Sequence, residues 1–236
     1  MAIKFPVFCI YTEQEPKSYQ SFVHCVQSAK KFNIEVYDYK SVWKENTSEV
    51  IKELNLFSNF KSIDTKKTIF TPDKKIIPSR RLANGLTHYK LYQKCVQLKT
   101  PIVILEHDAF FVGPLPEHLP ENLNDSIIQI SSHLKFQMTV VSTEFCWRSN
   151  QMRKYGKTQK PYRDWSNESG IISHPLSGTN GTSGYIIGPN AAQSMIDYVR
   201  ENGIANADRL REDHIGGKDN LYLQVPQSVH CNHYRW

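Results

Sequence analysis

The chain has no apolar run approaching the roughly 20 residues that cross a bilayer, so no transmembrane helix is expected. Its first residues, Met1 to Pro6, lack the apolar stretch and small-residue cleavage site of a secretion signal. A cytoplasmic location is therefore the expectation, in a bacterium or a phage-infected host. The five cysteines (Cys9, Cys25, Cys95, Cys146, Cys231) contain no CxxC pair. Their odd number and wide spacing argue against a disulfide framework and a zinc cluster, leaving reduced, mostly buried thiols. Without a secretion signal, the Asn-x-Ser/Thr sequons at Asn46, Asn167 and Asn180 carry no weight. Internal repeats and low-complexity tracts are also lacking.

What is present describes a folded protein. Hydrophobic residues at 39% against 22% charged fit a globular chain, and 236 residues fit a single domain able to bury a core. The net charge of +6 favours anionic partners: nucleotide phosphates, nucleic acid or an acidic membrane surface. Lysines are densest between Lys61 and Lys75 and between Lys154 and Lys160, where solvated loops would serve as well.

Strands and helices alternate along the chain. Pro6 to Tyr11 reads as a strand, Lys17 to Phe32 as a helix with Phe22, Val26 and Ala29 on one face, and Ile34 to Tyr39 as a second strand. That order is a βαβ unit, which implies parallel pairing. A short helix is expected over Ser48 to Leu56 with Ser48 as its N-cap, and a loop over 58–80. A helix from Leu82 to Leu98 stops before Thr100-Pro101, and Ile102 to Leu105 reads as a central strand buried on both faces. Further strands are expected at Ser126 to Ile130, Ser183 to Ile187 and Leu221 to Pro226, with a helix from Asn190 to Glu201 ended by Gly203. Residues 142–182 are polar, aromatic and glycine-rich, and read as a long functional loop or lid.

The central strand stops at Glu106-His107-Asp108. Ligands of open α/β sheets bind beyond the carboxyl ends of the strands, which is where these residues fall. Alternation along an extended chain puts Glu106 and Asp108 on one side, where they can hold Mg²⁺ or Mn²⁺ through oxygen. Such a cation neutralises a diphosphate and stabilises it as a leaving group. Read alone, the same three residues also suit a solvated surface turn.

The flanking segments weaken the surface-turn reading. Gly85-Leu86-Thr87-His88 precedes the strand that ends in Glu106-His107-Asp108, and Gly181-Thr182-Ser183-Gly184-Tyr185-Ile186-Ile187 is followed by Pro189 and Ala191. In content and order these segments resemble glycosyltransferase family 25, which includes lipooligosaccharide and collagen sugar transferases. Thr87 stands where that family usually has Ser, and His107 where it has an acid. The resemblance covers about residues 80–230.

It implies an α/β, GT-A-like (Rossmann-like) fold in a single domain, with a mostly parallel central sheet flanked by helices. Residues 1–110 would form the nucleotide-sugar-binding half, and 111–236 the acceptor-binding half with its lid. It also implies a metal, Mn²⁺ or Mg²⁺, on Asp108 and Glu106, with His230 and His233 as further ligand candidates. For the donor the candidates are Tyr11, stacking on the base or equally an ordinary half-buried tyrosine, Arg80 and Arg81, pairing with the diphosphate or equally solvated, and Thr12, Glu106 and Thr182. Arg80 and Arg81 would stand just ahead of the helix. If the reaction inverts at the anomeric carbon, a general base is needed; Asp213 is preferred over Asp208 and Asp164, and His88 reads as a hydrogen-bonded helix residue near the donor more readily than as a base. For the acceptor two readings stay open: a lipopolysaccharide-type glycan, or a hydroxymethylated base of double-stranded phage DNA. Trp147, Arg148, Arg163 and Trp165 are candidates for meeting either one. A non-catalytic member that binds glycan or nucleic acid through the same cleft is the alternative from another class.

Overall fold

The computed structural model describes residues 5–58, 78–116, 119–133, 170–173, 183–208, 210, 221–225 and 229–231. Strand β1 (Val7–Tyr11) leads into helix α1 (Pro16–Lys30) and strand β2 (Val36–Lys40). Pro16 opens α1 at a position where its missing N–H costs nothing. Helix α2 (Thr47–Glu53) and helix α3 (Pro78–Leu98) precede strand β3 (Ile102–Glu106) and the short strand β4 (Ala109–Phe111). Then come β5 (Ile127–Gln129), β6 (Ser131–His133), β7 (Gly170–Ser173), β8 (Gly184–Ile187), helix α4 (Pro189–Asn202), β9 (Leu221–Val225) and β10 (Val229–Cys231). Helices α1, α2 and α3 are each followed by a residue of positive φ, Asn33, Asn55 and Lys99, and α4 by Gly203 at φ 86°.

The expected βαβ unit is present, with β1 running parallel to both β2 and β3. The main sheet has seven strands in the order β2-β1-β3-β8-β5-β9-β7. Strand β8 enters antiparallel between β3 and β5, and β7 pairs antiparallel with β9 at the far edge. A second, three-stranded sheet places β10 between β4 and β6.

Side chains of β3 alternate between two cores. Ile102 and Ile104 pack with Leu86, Tyr89 and Tyr92 of α3 and with Met195 and Val199 of α4. Val103 and Leu105 pack on the other face with Cys25 and Ala29 of α1 and with Phe111 and Val229 of the small sheet. Both faces of the strand are thus covered, and this explains its unbroken apolar run. Each such side chain contributes roughly 1.5–3 kcal/mol by leaving water.

Four expectations change. Helix α3 begins at Pro78 rather than Leu82, so Arg80 and Arg81 lie inside the helix and not ahead of it. Asn46, not Ser48, holds the cap position of α2; Thr47 instead donates through its hydroxyl to the Lys44 carbonyl at 3.0 Å. The segment expected as a continuous loop over 142–182 contains strand β7, where Ile171 and Ile172 sit between Gly170 and Ser173. Finally, the extended chain ends at Glu106, and residues 107–108 form a turn into β4. The two-residue alternation therefore does not carry from Glu106 to Asp108.

Candidate active site at the carboxyl ends of β1, β2 and β3

A cleft opens where the three parallel strands end. Ile10 of β1 and Thr12 just after it line it, with Ser41 to Lys44 from the segment after β2, Glu106 of β3 and His107 of the turn that follows. Helix α3 closes one wall with Arg80, Ala83, Asn84 and Thr87, and Glu15 stands beside α1. The Thr12 hydroxyl lies 3.0 Å from that of Ser41, and its backbone N–H donates to the Ser18 hydroxyl at 2.8 Å. Thr87 accepts from the Val42 backbone N–H at 2.9 Å and donates back to the Ala83 carbonyl at 2.7 Å. These bonds hold the loop after β2 against α3.

Glu106 is gripped from α3. The Asn84 side-chain amide donates to Glu106 Oε1 at 3.1 Å, and the same oxygen lies 3.6 Å from His88 Nε2. His88 is fully buried; its Nδ1 is 2.7 Å from the Tyr185 hydroxyl, which donates to the Tyr92 hydroxyl at 3.1 Å. Its ring also stacks on that of Tyr185, with centroids 5.8 Å apart and planes 13° off parallel. His88 is thus a buried partner of Glu106, held away from the cleft surface.

Asp108 is half-buried in the turn after β3. It shares its surroundings with Glu106 through Cys9. Burial pushes the Cys9 thiol well up; Cys25 adds to this, and then the charges of Asp108 and Glu106. The Cys9 thiol also donates weakly to the Glu106 backbone carbonyl at 3.7 Å. Both acids therefore lie at one end of β1. The register of β10 brings the C-terminal segment to the same place, with Cys231 opposite Ala109 and His230 opposite Phe110.

The remaining candidates divide. Arg80 reaches the cleft mouth, where its guanidinium donates to Glu15 Oε1 at 3.3 Å. Arg81 is one residue on along the helix, about 100° around its axis, and is not among the residues lining the cleft. Of the two readings open for Tyr11, packing and not base stacking is the one observed. It is only 6% exposed, and its ring stacks on Phe22 of α1 at 4.9 Å, with Tyr19 at 5.6 Å. Alternation along β1 sends it to the α1 face of the sheet. Asp208 follows Ala207, whose backbone N–H donates to the Asn84 side-chain oxygen at 3.3 Å, so Asn84 joins its segment to Glu106. Thr182, Asp213, His233, Trp147, Arg148, Arg163, Asp164 and Trp165 lie outside the described residues, and of His230 only the backbone is described.

Sequence reasoning overlooked Asn84, Trp43 and Lys44. Trp43 and Lys44 follow directly on the second strand, and Lys44 Nζ sits 4.9 Å from the Trp43 ring centroid. An aromatic and a cation at the carboxyl end of a strand was the available signal. Asn84 offered none, since one amide on a helix names no partner.

The chain matches the model of glycosyltransferase family 25, described as an LPS biosynthesis protein, over residues 59–210. It belongs to glycosyltransferase family 25. Activity of this family-25 chain is accordingly glycosyl transfer. A solved structure of mouse xyloside xylosyltransferase 1, in its apo form, is similar with a TM-score of 0.40 and 10% identity; the alignment covers 94% of this chain and 85% of that one. No curated protein sequence matches the family-25 chain. Among the described residues, no helix is long and apolar enough to cross a membrane.

Proposed function

We propose that the chain moves a sugar from a nucleotide-diphosphate sugar to a hydroxyl of a lipopolysaccharide-type glycan. The observation that carries this reading is the cleft at the ends of β1, β2 and β3, with Glu106 and His107 on one side and Arg80 at its mouth. Among the described residues, all that line it fall within 1–110, the half expected to receive the donor. The Trp43 ring offers a face for the base, and the Thr12 and Ser41 hydroxyls suit the ribose. Arg80 and Lys44 supply positive charge for the diphosphate. The Arg80–Glu15 pair is largely exposed, with 61% and 42% of the side chains accessible, so it is worth about 0–1 kcal/mol. A diphosphate would compete for that guanidinium readily.

The donor chemistry fits a hard divalent cation. Asp108 and Glu106 are both oxygen donors, and Mg²⁺ is commonly held by one or two carboxylates, with water and substrate phosphates completing its shell. Among the described residues no group of three or more His, Cys, Asp or Glu side chains is placed to hold a metal. The two acids with the diphosphate are therefore the fitting arrangement, with His107 beside them in the turn after β3 and His230 and His233 kept as candidate ligands from the sequence. When bound, the ion would offset charge on the departing diphosphate. Asp208 or Asp213 would accept the proton of the acceptor hydroxyl.

The test is thermal stabilisation by a panel of nucleotide sugars with and without Mn²⁺, followed by mass spectrometry of two candidate acceptors. Stabilisation that needs the metal, and sugar added to a truncated lipooligosaccharide, is the expected result. Sugar added instead to hydroxymethylated DNA would transfer the reading to a nucleic-acid acceptor. Stabilisation by no donor under any condition would point to a binding module.

A further inference from the structure

The buried chain Tyr92–Tyr185–His88 has no reason to exist as core filling. Its members lie among Leu86, Leu91, Ile104 and Ile187, all of them apolar and fully buried. A buried hydroxyl or imidazole costs on the order of 1–3 kcal/mol unless hydrogen-bonded, and apolar residues of similar size fill such space at no such cost. The chain nevertheless leads by successive contacts of 3.1, 2.7 and 3.6 Å to one group at the cleft, Glu106 Oε1. Asn84 meets the same oxygen from the next turn of α3 towards its start, while its own carbonyl oxygen accepts from Ala207. Gly85 lets α3 come this close: a Cβ there would lie 1.7 Å from the Ala205 carbonyl oxygen.

We infer that Asn84 and His88 are positioning residues that act through Glu106, holding its carboxylate in one orientation and tying it to the segment that carries Asp208. This rests on the proposed reading of the cleft as the donor site. One turn of α3 then serves three segments at once. Thr87 holds the loop after β2, Asn84 bonds the acid at the end of β3 while the His88 ring packs 3.6 Å from it without a hydrogen bond through Nε2, and Asn84 and Gly85 receive residues 205–207. A residue positioning an acid in this way typically changes activity by about 10–100-fold when removed.

Two measurements test it. The first is the crystal structure of Asn84→Ala, with His88→Gln as a second variant because His88 is fully buried. The Glu106 carboxylate should turn from its place in Asn84→Ala, while the backbone of β3 stays put. An unmoved carboxylate in both variants would overturn the inference, whether or not any donor is turned over. The second is a double-mutant cycle in sugar transfer. Asn84→Ala should lower kcat by about 10-fold or more in the native background, and by less than about 2-fold when Glu106 is already Gln. Equal losses in both backgrounds would mean that Asn84 serves the fold alone. Failure of the unaltered protein to use any nucleotide sugar would sink the donor-site reading and leave the crystallographic result to decide the positioning role.

Discussion

Glu106 and Asp108 differ in how they are held, and their substitutions should differ accordingly. Asp108 sits in a turn, half-buried, where its charge helps to push up the Cys9 thiol. Asp108→Ala should lower kcat by about 100-fold or more, on the scale of a lost metal contact, and raise the Mn²⁺ concentration needed for activity. Steady-state rates across a metal titration check this. Turnover equal to the unaltered enzyme's would remove Asp108 from the site. Arg80→Ala is expected to act on binding instead. Losing one charge-assisted contact costs about 1.5–3 kcal/mol, so donor KM should rise by roughly 10-fold or more at nearly constant kcat. The melting temperature should hold, because the exposed pair with Glu15 contributes little.

At the scale of elements, α3 is the piece on which the site depends. Gly85→Ala drives a methyl into the Ala205 backbone, a contact of 1.7 Å that no side-chain movement relieves. We expect a loss of about 1–3 kcal/mol or more, seen as a clearly lower melting temperature in a thermal melt, with kcat falling as residues 205–208 shift. This element also shows what the sequence disclosed. The apolar runs of β1, β3 and β8 and the helical spacing of α1 and α4 were legible because burial writes them as local periodicity. The end of β3 at Glu106 was legible because an acid rarely continues a strand buried on both faces. The turn at 107–108 was not, since pattern alone cannot show where an extended chain stops. Strands β4, β6 and β10, with three residues each, are too short to set up a period. Tyr11 stayed ambiguous for the opposite reason. Its place at a strand end suggested the cleft, yet the pleat turned it under α1 to Phe22. Asn84 gained its meaning only from partners 22 and 123 residues away.

For the whole molecule, the buried acids of weak strength set a common direction with pH. Burial pushes the Cys95 thiol up to about 12 and raises Cys9 and Tyr39, while burial and then Asp38 raise Tyr11. A raised folded value means that the native state keeps the proton while the unfolded chain gives it up. The stability these groups lend is therefore intact below their ordinary values of about 8.5 to 10 and drains away as pH rises from there towards about 12. Urea midpoints measured from pH 7 to 11 should fall steadily above pH 9. A flat profile would show that these thiols and phenols are solvated in the native state. In the native protein at pH 8, Cys9, Cys25 and Cys95, all buried, should resist alkylation until urea opens the fold.

Strand β8 carries one more implication, for the order in which the molecule is assembled during synthesis. It occupies the middle of the main sheet, yet it is made long after β3, the neighbour it covers. Until residues 184–187 leave the ribosome, the edge formed by Ile102 to Leu105 has no second partner, and β5 has nothing to join. A nascent chain stopped short of that point presents a naked apolar ribbon, the kind of surface that chaperones seize and that neighbouring chains stick to. Release of the β8 tetrapeptide is then the step that knits the two halves of the sheet together. Nascent chains halted on either side of it should differ sharply in their resistance to protease.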